Sequence, residues 1–350
     1  MCASNNTPKK IFKTSLSNRI EGFDELRGIA VMMVLISHWG MVCTPLWAFD
    51  LGPIGVDIFF VISGFLIGLI LLKSKGKVGY YRNFYVRRVF RIMPLAFIMI
   101  LMGLVLQLAT KNNIGSFWYY CTFTQNYIPA FLAPNIDKTN VLLPLPGTDP
   151  MWSLAVEEHT YLCLPLIIGV LNKKFIPNSI VIVSLVGVSV SLYTTKSYEY
   201  GSYTNLNETW NRMHYIAMGV LLCRREWWMY VVAVMLYWFA LIVIMDIPAQ
   251  FIQYAIAIGI CVTVWMVREK KSPLRNKYLA DLGKLCYGVY LLHYPLAIVF
   301  KELSVRNYMN SCSLQVVSFI SYIVITTVLA YLSFKYFEMP IQRQRWRFEK

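Results

Sequence analysis

Residues 22–40 read GFDELRGIAVMMVLISHWG, an apolar run entered through Asp24, Glu25 and Arg27 and interrupted near its far end by His38. On a helix rising ~1.5 Å per residue, His38 stands ~16 Å above Arg27, close to the middle of a bilayer core about 30 Å thick. Ionisable side chains are costly at that depth, so they face a protein interior or a watered cavity and mark function. The stretch therefore predicts a membrane-spanning helix with a polar site at its centre.

The rest of the chain has the same character. It is 57% hydrophobic and only 15% charged, with a mean hydropathy of +0.51, too apolar for the surface of a soluble protein of 350 residues. Continuous apolar runs of ~20 residues indicate helices rather than the alternating strands of a membrane barrel. Ten spans are expected, at about 29–48, 54–72, 92–110, 151–171, 176–194, 209–222, 227–245, 249–267, 284–300 and 314–334. The sixth is short and carries Arg212 and His214, as a broken helix lining a cavity would.

The formal charge is +15, which raises the question of nucleic acid, but the basic residues alternate between loops and form no single patch. With the N-terminus inside, the inner segments hold 27 of the 33 Lys and Arg. That asymmetry predicts an all-α polytopic bundle of about ten helices with both termini cytoplasmic. Residues 1–28 form the N-terminal tail, 335–350 the C-terminal tail, and 1–350 one integral-membrane domain. No cleavable signal peptide is expected, because the first apolar run lacks a processing site. The segment 111–150 reads as an outer loop with an interfacial or re-entrant helix, a candidate lid.

The eight cysteines show neither a CxxC pair nor a metal-ligand spacing, so no metal is expected. Cys43, Cys121 and Cys312 fall on the outer side, where a disulfide is conceivable but nothing supports one. The sequon Asn207-Glu208-Thr209 reads as chance.

Counting depth along the other spans adds company to His38. Glu157 and Glu158 fall ~9 to 12 Å below the outer end of the fourth span, and His293 ~13 Å above the inner end of the ninth. Asp57 and Arg212 fall near the outer ends of the second and sixth. A carboxylate beside a histidine fixes its tautomer and stabilises the imidazolium, so His38 reads as a general base with Glu157 as its first-choice partner. Ser153 and Glu157 are four residues apart on one helix face, and Glu158 is turned ~100° away. The competing reading is structural: a buried neutral histidine, and Glu157 in an ion pair with Arg212.

A second constellation is the inner segment KSKGKVGYYRNFYVRRVFRIMP, with seven Lys and Arg and no acidic residue. A loop of this kind satisfies the positive-inside rule without further function. Arg88 and Arg91, three residues apart in a helix, also direct two guanidinium forks at one polyphosphate, which suits a cytosolic phosphorylated donor. Gly64 and Gly68 have the small-xxx-small spacing of close helix packing.

These residues resemble acyltransferase family 3, integral-membrane O-acyltransferases that acylate envelope sugars, exopolysaccharides and some antibiotics. The resemblance is carried in order by FDELRGIAVMMVLISH with its Arg-x10-His spacing, GVDIFFVISGFLI, FYVRRVFRIMP, MWSLAVEEHTYLCLP, LCYGVYLLHYPL and KYFEMP. It implies a catalytic His38 and acyl-donor roles for Arg27, Arg88 and Arg91. It also implies functional roles for Trp152, Ser153, Glu157 and Glu158, and supporting ones for Asp57 and His293; Arg212 joins these from the residue reading. His159-Thr160 departs from the glutamine and aromatic residue that many members carry there. The extra soluble hydrolase-like domain of some members is expected to be absent.

The expected activity is transfer of an acyl group, acetyl first, from acyl-CoA (acetyl-CoA) to a hydroxyl of a carbohydrate or glycolipid acceptor such as lipopolysaccharide O-antigen or exopolysaccharide. His38 acts either as base or as transient acyl carrier. The expected location is a bacterial inner membrane, with the lipid bilayer as surroundings and no nucleic-acid partner. A secondary transporter with a midplane polar site is the rival from another class. It would move its substrate unchanged, whereas an acyltransferase consumes a thioester.

Overall fold

The computed structural model describes residues 22–43, 51–109, 116–127, 145–199, 207–248, 250–269, 274–306 and 312–349. The expected N-terminal tail up to residue 21, most of the lid candidate at 111–150 and the outer loop at 200–206 lie outside them.

The described elements are helical. In chain order the helices are α1 (Phe23–Cys43), α2 (Gly52–Ser74), α3 (Tyr80–Ala109), the short α4 (Phe117–Cys121), α5 (Trp152–Val170) and α6 (Ile176–Glu199). They continue with α7 (Thr209–Leu222), α8 (Trp228–Met245), α9 (Gln250–Arg268), α10 (Lys277–Lys284), α11 (Cys286–Arg306), α12 (Cys312–Ser333) and α13 (Met339–Arg343). Each of the ten expected segments is a helix. Seven described stretches are long and apolar enough to cross a membrane, and an eighth is added if the pair α10 and α11, bent by 76°, counts as one span. The expected count of ten is therefore not reached by length and composition. The sixth segment, α7, has 14 residues, ~21 Å of helix, too short for a hydrocarbon core of about 30 Å.

Two boundaries differ from the sequence reading. The arginine-rich inner segment is helical from Tyr80 onward, so α3 runs for 30 residues and carries Arg82, Arg87, Arg88 and Arg91 on its first turns. The real loop is the short KGKVG, turned by Gly76 (φ +79°) and Gly79 (φ +74°), which adopt the left-handed backbone open to glycine. The C-terminal tail expected at 335–350 is structured as far as residue 349: α12 passes through a π turn at Phe334–Glu338 into α13 and a 3-10 turn at Gln344–Arg347. This segment packs on α3, because Arg87 and Phe90 of α3 offer Glu349 and Phe348 an ion pair and a ring contact.

α2 and α7 form the middle of the bundle. α1 and α7 pack on α2, α6 packs on α7, and α11 packs on α1 with α12 outside it. Without a hydrophobic drive between helices in lipid, close approach needs small residues. Gly64 supplies it: a Cβ there would collide with the carbonyl of Ile216, and one at Gly219 would collide with that of Val61. Gly28 of α1 and Gly283 of α10 do the same, each facing the other helix's backbone at Leu279 and Asp24.

Carbonyls near helix ends and prolines accept hydrogen bonds from side chains. Lys75 Nζ donates to Ile168 O (2.5 Å) and Gly169 O (2.8 Å) at the C-terminus of α5, a cation at the negative end of a helix dipole. Near Pro94, Tyr287 Oη donates to Ile92 O at 2.5 Å, and near Pro165, Tyr85 Oη donates to Leu162 O at 3.0 Å. In lipid such groups have no water to fall back on.

Candidate active site

A cavity of about 670 Å³ opens among α1, α2, α3, α5, α10, α11 and the segment after α12. Arg27, Arg88 and Arg91, expected as one group, all line it, together with Lys284 and Arg345. Arg27 is fixed within α1 by Asp24 (Nη1 to Oδ1, 3.2 Å), while Glu25 reaches back to accept from Gly22 N at 3.0 Å and ties down the helix start. Arg88 lies over the rings of Tyr161 (5.0 Å) and Phe84 (5.5 Å), a weakly hydrated planar cation held by aromatic faces.

Another part of the lining is α5. Ser153 and Glu157 both line the cavity, as their four-residue spacing requires, and Glu158 does not. Glu157 is held on both oxygens: Ser63 Oγ donates to Oε1 and Tyr161 Oη to Oε2, each at 2.6 Å. Ser153 Oγ is 2.7 Å from Tyr290 Oη, and the Pro150 carbonyl lies 3.0 Å from that phenol oxygen. Glu158 is turned away, its Oε1 buried and without a hydrogen-bond partner among the described residues.

His38 stands beyond this end of the cavity, half-buried, and its neighbour is His293 rather than Glu157. His293 Nε2 is 3.3 Å from His38 Nδ1, which is also 3.1 Å from Val34 O, while His293 Nδ1 is 2.5 Å from Tyr290 O. Carbonyls only accept, so each Nδ1 carries its proton. Nε2 of His293 then accepts from His38, and the lone pair of His38 resides on its own Nε2. The ring of Tyr294 stands edge-on to His38 at 5.2 Å. The carboxylate in electrostatic reach of His38 is Asp149, which the sequence reading did not single out. Its signal was its place in TDPMWSL, immediately before the first turn of α5.

Arg212 is likewise not the partner of Glu157. It donates to Asp57 Oδ1 at 3.2 Å and lies over the ring of Trp152 at 5.7 Å. Asp57, Trp152 and Arg212 thus form a group of their own between α2, α5 and α7. Tyr290, Ser63 and Tyr161 were also missed; their only sequence signal is a hydroxyl in an apolar run. Cys121 is free, and the side chains of Cys43 and Cys312 lie outside the described residues. No three His, Cys, Asp or Glu converge on a metal position among the described residues.

The arrangement joins a cationic chamber, fit for a polyanion, to a hydroxyl-lined end wall with an imidazole behind it. Comparison with known proteins finds relatives over most of the chain. YrhL of Bacillus subtilis (strain 168), named as a candidate peptidoglycan O-acetyltransferase, is 28% identical over 96% of this chain and 57% of its own length. The O-acetyltransferase OatA of Staphylococcus aureus (strain NCTC 8325 / PS 47) is 27% identical over 97% of this chain and 60% of its own. The chain thus spans about three-fifths of the length of these relatives. No solved structure matches it. The family model described as an acyltransferase domain matches residues 20–335, from the entry to α1 to the π turn after α12, and the chain belongs to that family, acyltransferase family 3.

Proposed function

We propose that this multi-pass membrane protein is an O-acetyltransferase that takes its acyl group from a coenzyme A thioester and delivers it to a hydroxyl of a cell-envelope carbohydrate. The observation that carries the reading is one cavity lined by Arg27, Arg88 and Arg91 and also by Ser153 and Glu157. A nucleotide thioester has its phosphates at one end and its reactive carbonyl at the other, separated by a flexible arm. The arginines suit the phosphates, and the ~16 Å from Arg27 to His38 is within the span of that arm.

In the proposed step His38 Nε2 accepts the proton of the acceptor hydroxyl as its oxygen attacks the thioester carbonyl. The carbon–sulfur bond then breaks, the ester is released, and the thiolate takes the proton from the imidazolium. His293 holds the tautomer of His38 that makes Nε2 the base. Asp149 supports the positive charge that forms on the ring. The relatives are named for O-acetylation, one of them of peptidoglycan, which favours acetyl as the group and a glycan of the bacterial envelope as the acceptor. The arginine-rich wall lies on the side predicted to be cytoplasmic, where acyl thioesters are made, so the acyl group crosses while coenzyme A stays behind.

Sealed membrane vesicles of known orientation test this. Acetyl-coenzyme A labelled in its acetyl group and supplied at the cytoplasmic face should acetylate a glycan confined to the other face. Transfer that requires both substrates on the cytoplasmic face would remove the crossing step and leave acetyl transfer standing. Absence of any thioester consumption would sink the whole reading.

A further inference from the structure

The arginines of the sequence motifs do not complete the cationic wall of the cavity. Glu338, Met339, Gln342 and Arg345 line it as well; the first two belong to the KYFEMP motif, and Gln342 and Arg345 lie beyond both that motif and residue 335, where the match to the family model ends. They belong to the segment that turns back onto α3, and that turn has a definite fastening. Arg87 grips Glu349 with both ends of its fork, Nε to Oε1 at 2.9 Å and Nη2 to Oε2 at 3.0 Å. Phe348 packs on Phe90 with ring centres 5.3 Å apart. Arg87 precedes Arg88 by one residue, so it points ~100° away around α3. It is not among the cavity's lining residues. The run of arginines in FYVRRVFR is therefore divided: Arg88 and Arg91 face the chamber, and Arg87 faces the returning chain.

Arg345 shares the same carboxylate, its Nε lying 3.5 Å from Glu349 Oε1. Two guanidinium groups on one carboxylate leave a net positive charge. The contact uses Nε, so the other N–H donors of Arg345 are outside it, while the residue itself lines the cavity.

We propose that residues 334–349 form a wall of the donor site, with Arg345 as a ligand of the donor's nucleotide phosphates and Arg87 as a positioning residue that fastens this wall through Glu349. The inference rests on the cavity being the donor site. It adds a second source of phosphate recognition, from the end of the domain, to the one carried by α1 and α3. A bidentate Arg–carboxylate pair has the geometry to hold a segment of chain in register, which a single surface contact does not.

The test is binding of two probes to the purified full chain in detergent: acetyl-coenzyme A, and S-acetylpantetheine, which has the reactive arm without the phosphates. Arg345→Ala should raise the Kd for acetyl-coenzyme A about tenfold, as expected for loss of one charge-assisted contact to phosphate, and leave that for S-acetylpantetheine unchanged. Arg87→Glu should weaken acetyl-coenzyme A in the same direction, and Arg87→Glu combined with Glu349→Arg should recover it, which a merely destabilised protein would not do. Equal weakening of both probes by Arg345→Ala, or an unchanged Kd for acetyl-coenzyme A in a variant series whose wild type binds it, overturns the proposal. A wild type that binds neither probe instead overturns the donor-site reading beneath it.

Discussion

Two groups of charge in this protein, one buried and one lining an open cavity, are built on opposite plans. Between α2 and α7, Asp57 and Arg212 meet at 3.2 Å with side chains 7% and 14% exposed, and the ring of Trp152 lies against the cation. One negative charge answers one positive charge there. Among the residues lining the cavity the cations Arg27, Arg88, Arg91, Lys284 and Arg345 outnumber the carboxylates Asp24, Glu157 and Glu338, although Glu349 and Asp281, outside the lining, reach Arg345 and Lys284. Burying charge in a low-dielectric interior is tolerable when it is paired, so the first group is complete as it stands. The second carries a surplus of cations that an anionic ligand would satisfy. A one-to-one pair holds helices together, and a cavity lining with more cations than carboxylates suits an anionic ligand.

The largest effect that would sharpen this contrast belongs to His38, which stands beyond the cavity's end wall. His38→Ala should lower acetyl transfer by about 10² to 10⁴-fold while the thermal stability and donor Kd of the detergent-solubilised protein stay at wild-type values. A well-folded His38→Ala protein that still transfers acetyl would leave the chamber without its chemistry.

Next comes the paired group. Asp57→Ala strands Arg212 and should destabilise the protein by about 3–5 kcal/mol, read as a fall in melting temperature, with donor affinity retained in whatever remains folded. If Asp57→Ala instead weakened donor binding at unchanged stability, the distinction between the two groups would collapse.

The smallest effect is expected from the cavity cations one at a time. Arg88→Ala or Arg91→Ala should raise the donor KM about tenfold without lowering the melting temperature, and lysine at either position should rescue poorly because the planar fork is lost. A stabilised protein is compatible with the surplus-charge view, since removing one of several like charges relieves repulsion.

The helices, the close packing at Gly64 and the shared face of Arg88 and Arg91 were legible because each follows from periodicity along one element, whereas the grouping of Arg27 with those two came from the family resemblance. Depth along a helix is also legible: counting residues put His38 and His293 at compatible heights. What the count does not contain is rotation and neighbourhood. Glu157 has the depth to meet His38, but it faces Ser63 and Tyr161, and Arg212 finds Asp57 rather than Glu157. Those pairings are set by which helices are adjacent, and no single span carries that information. The returning segment at 334–349 escaped for another reason. It is short, polar and basic, and its order depends on Arg87 and Phe90, far away in the chain.

The backbone-to-backbone seam between Gly64 and Gly219 also sets an order of events during synthesis. The helix α2 is made early, and its glycine face has no match until α7 arrives, after α3, α5 and α6 have been inserted. With only 14 residues, α7 lacks the length to lodge in a bilayer by its own hydrophobicity. It needs a slot already lined by α2 and α6. The newborn chain therefore carries an open groove through the insertion of three successive helices, and that groove is where a membrane chaperone would have to stand guard.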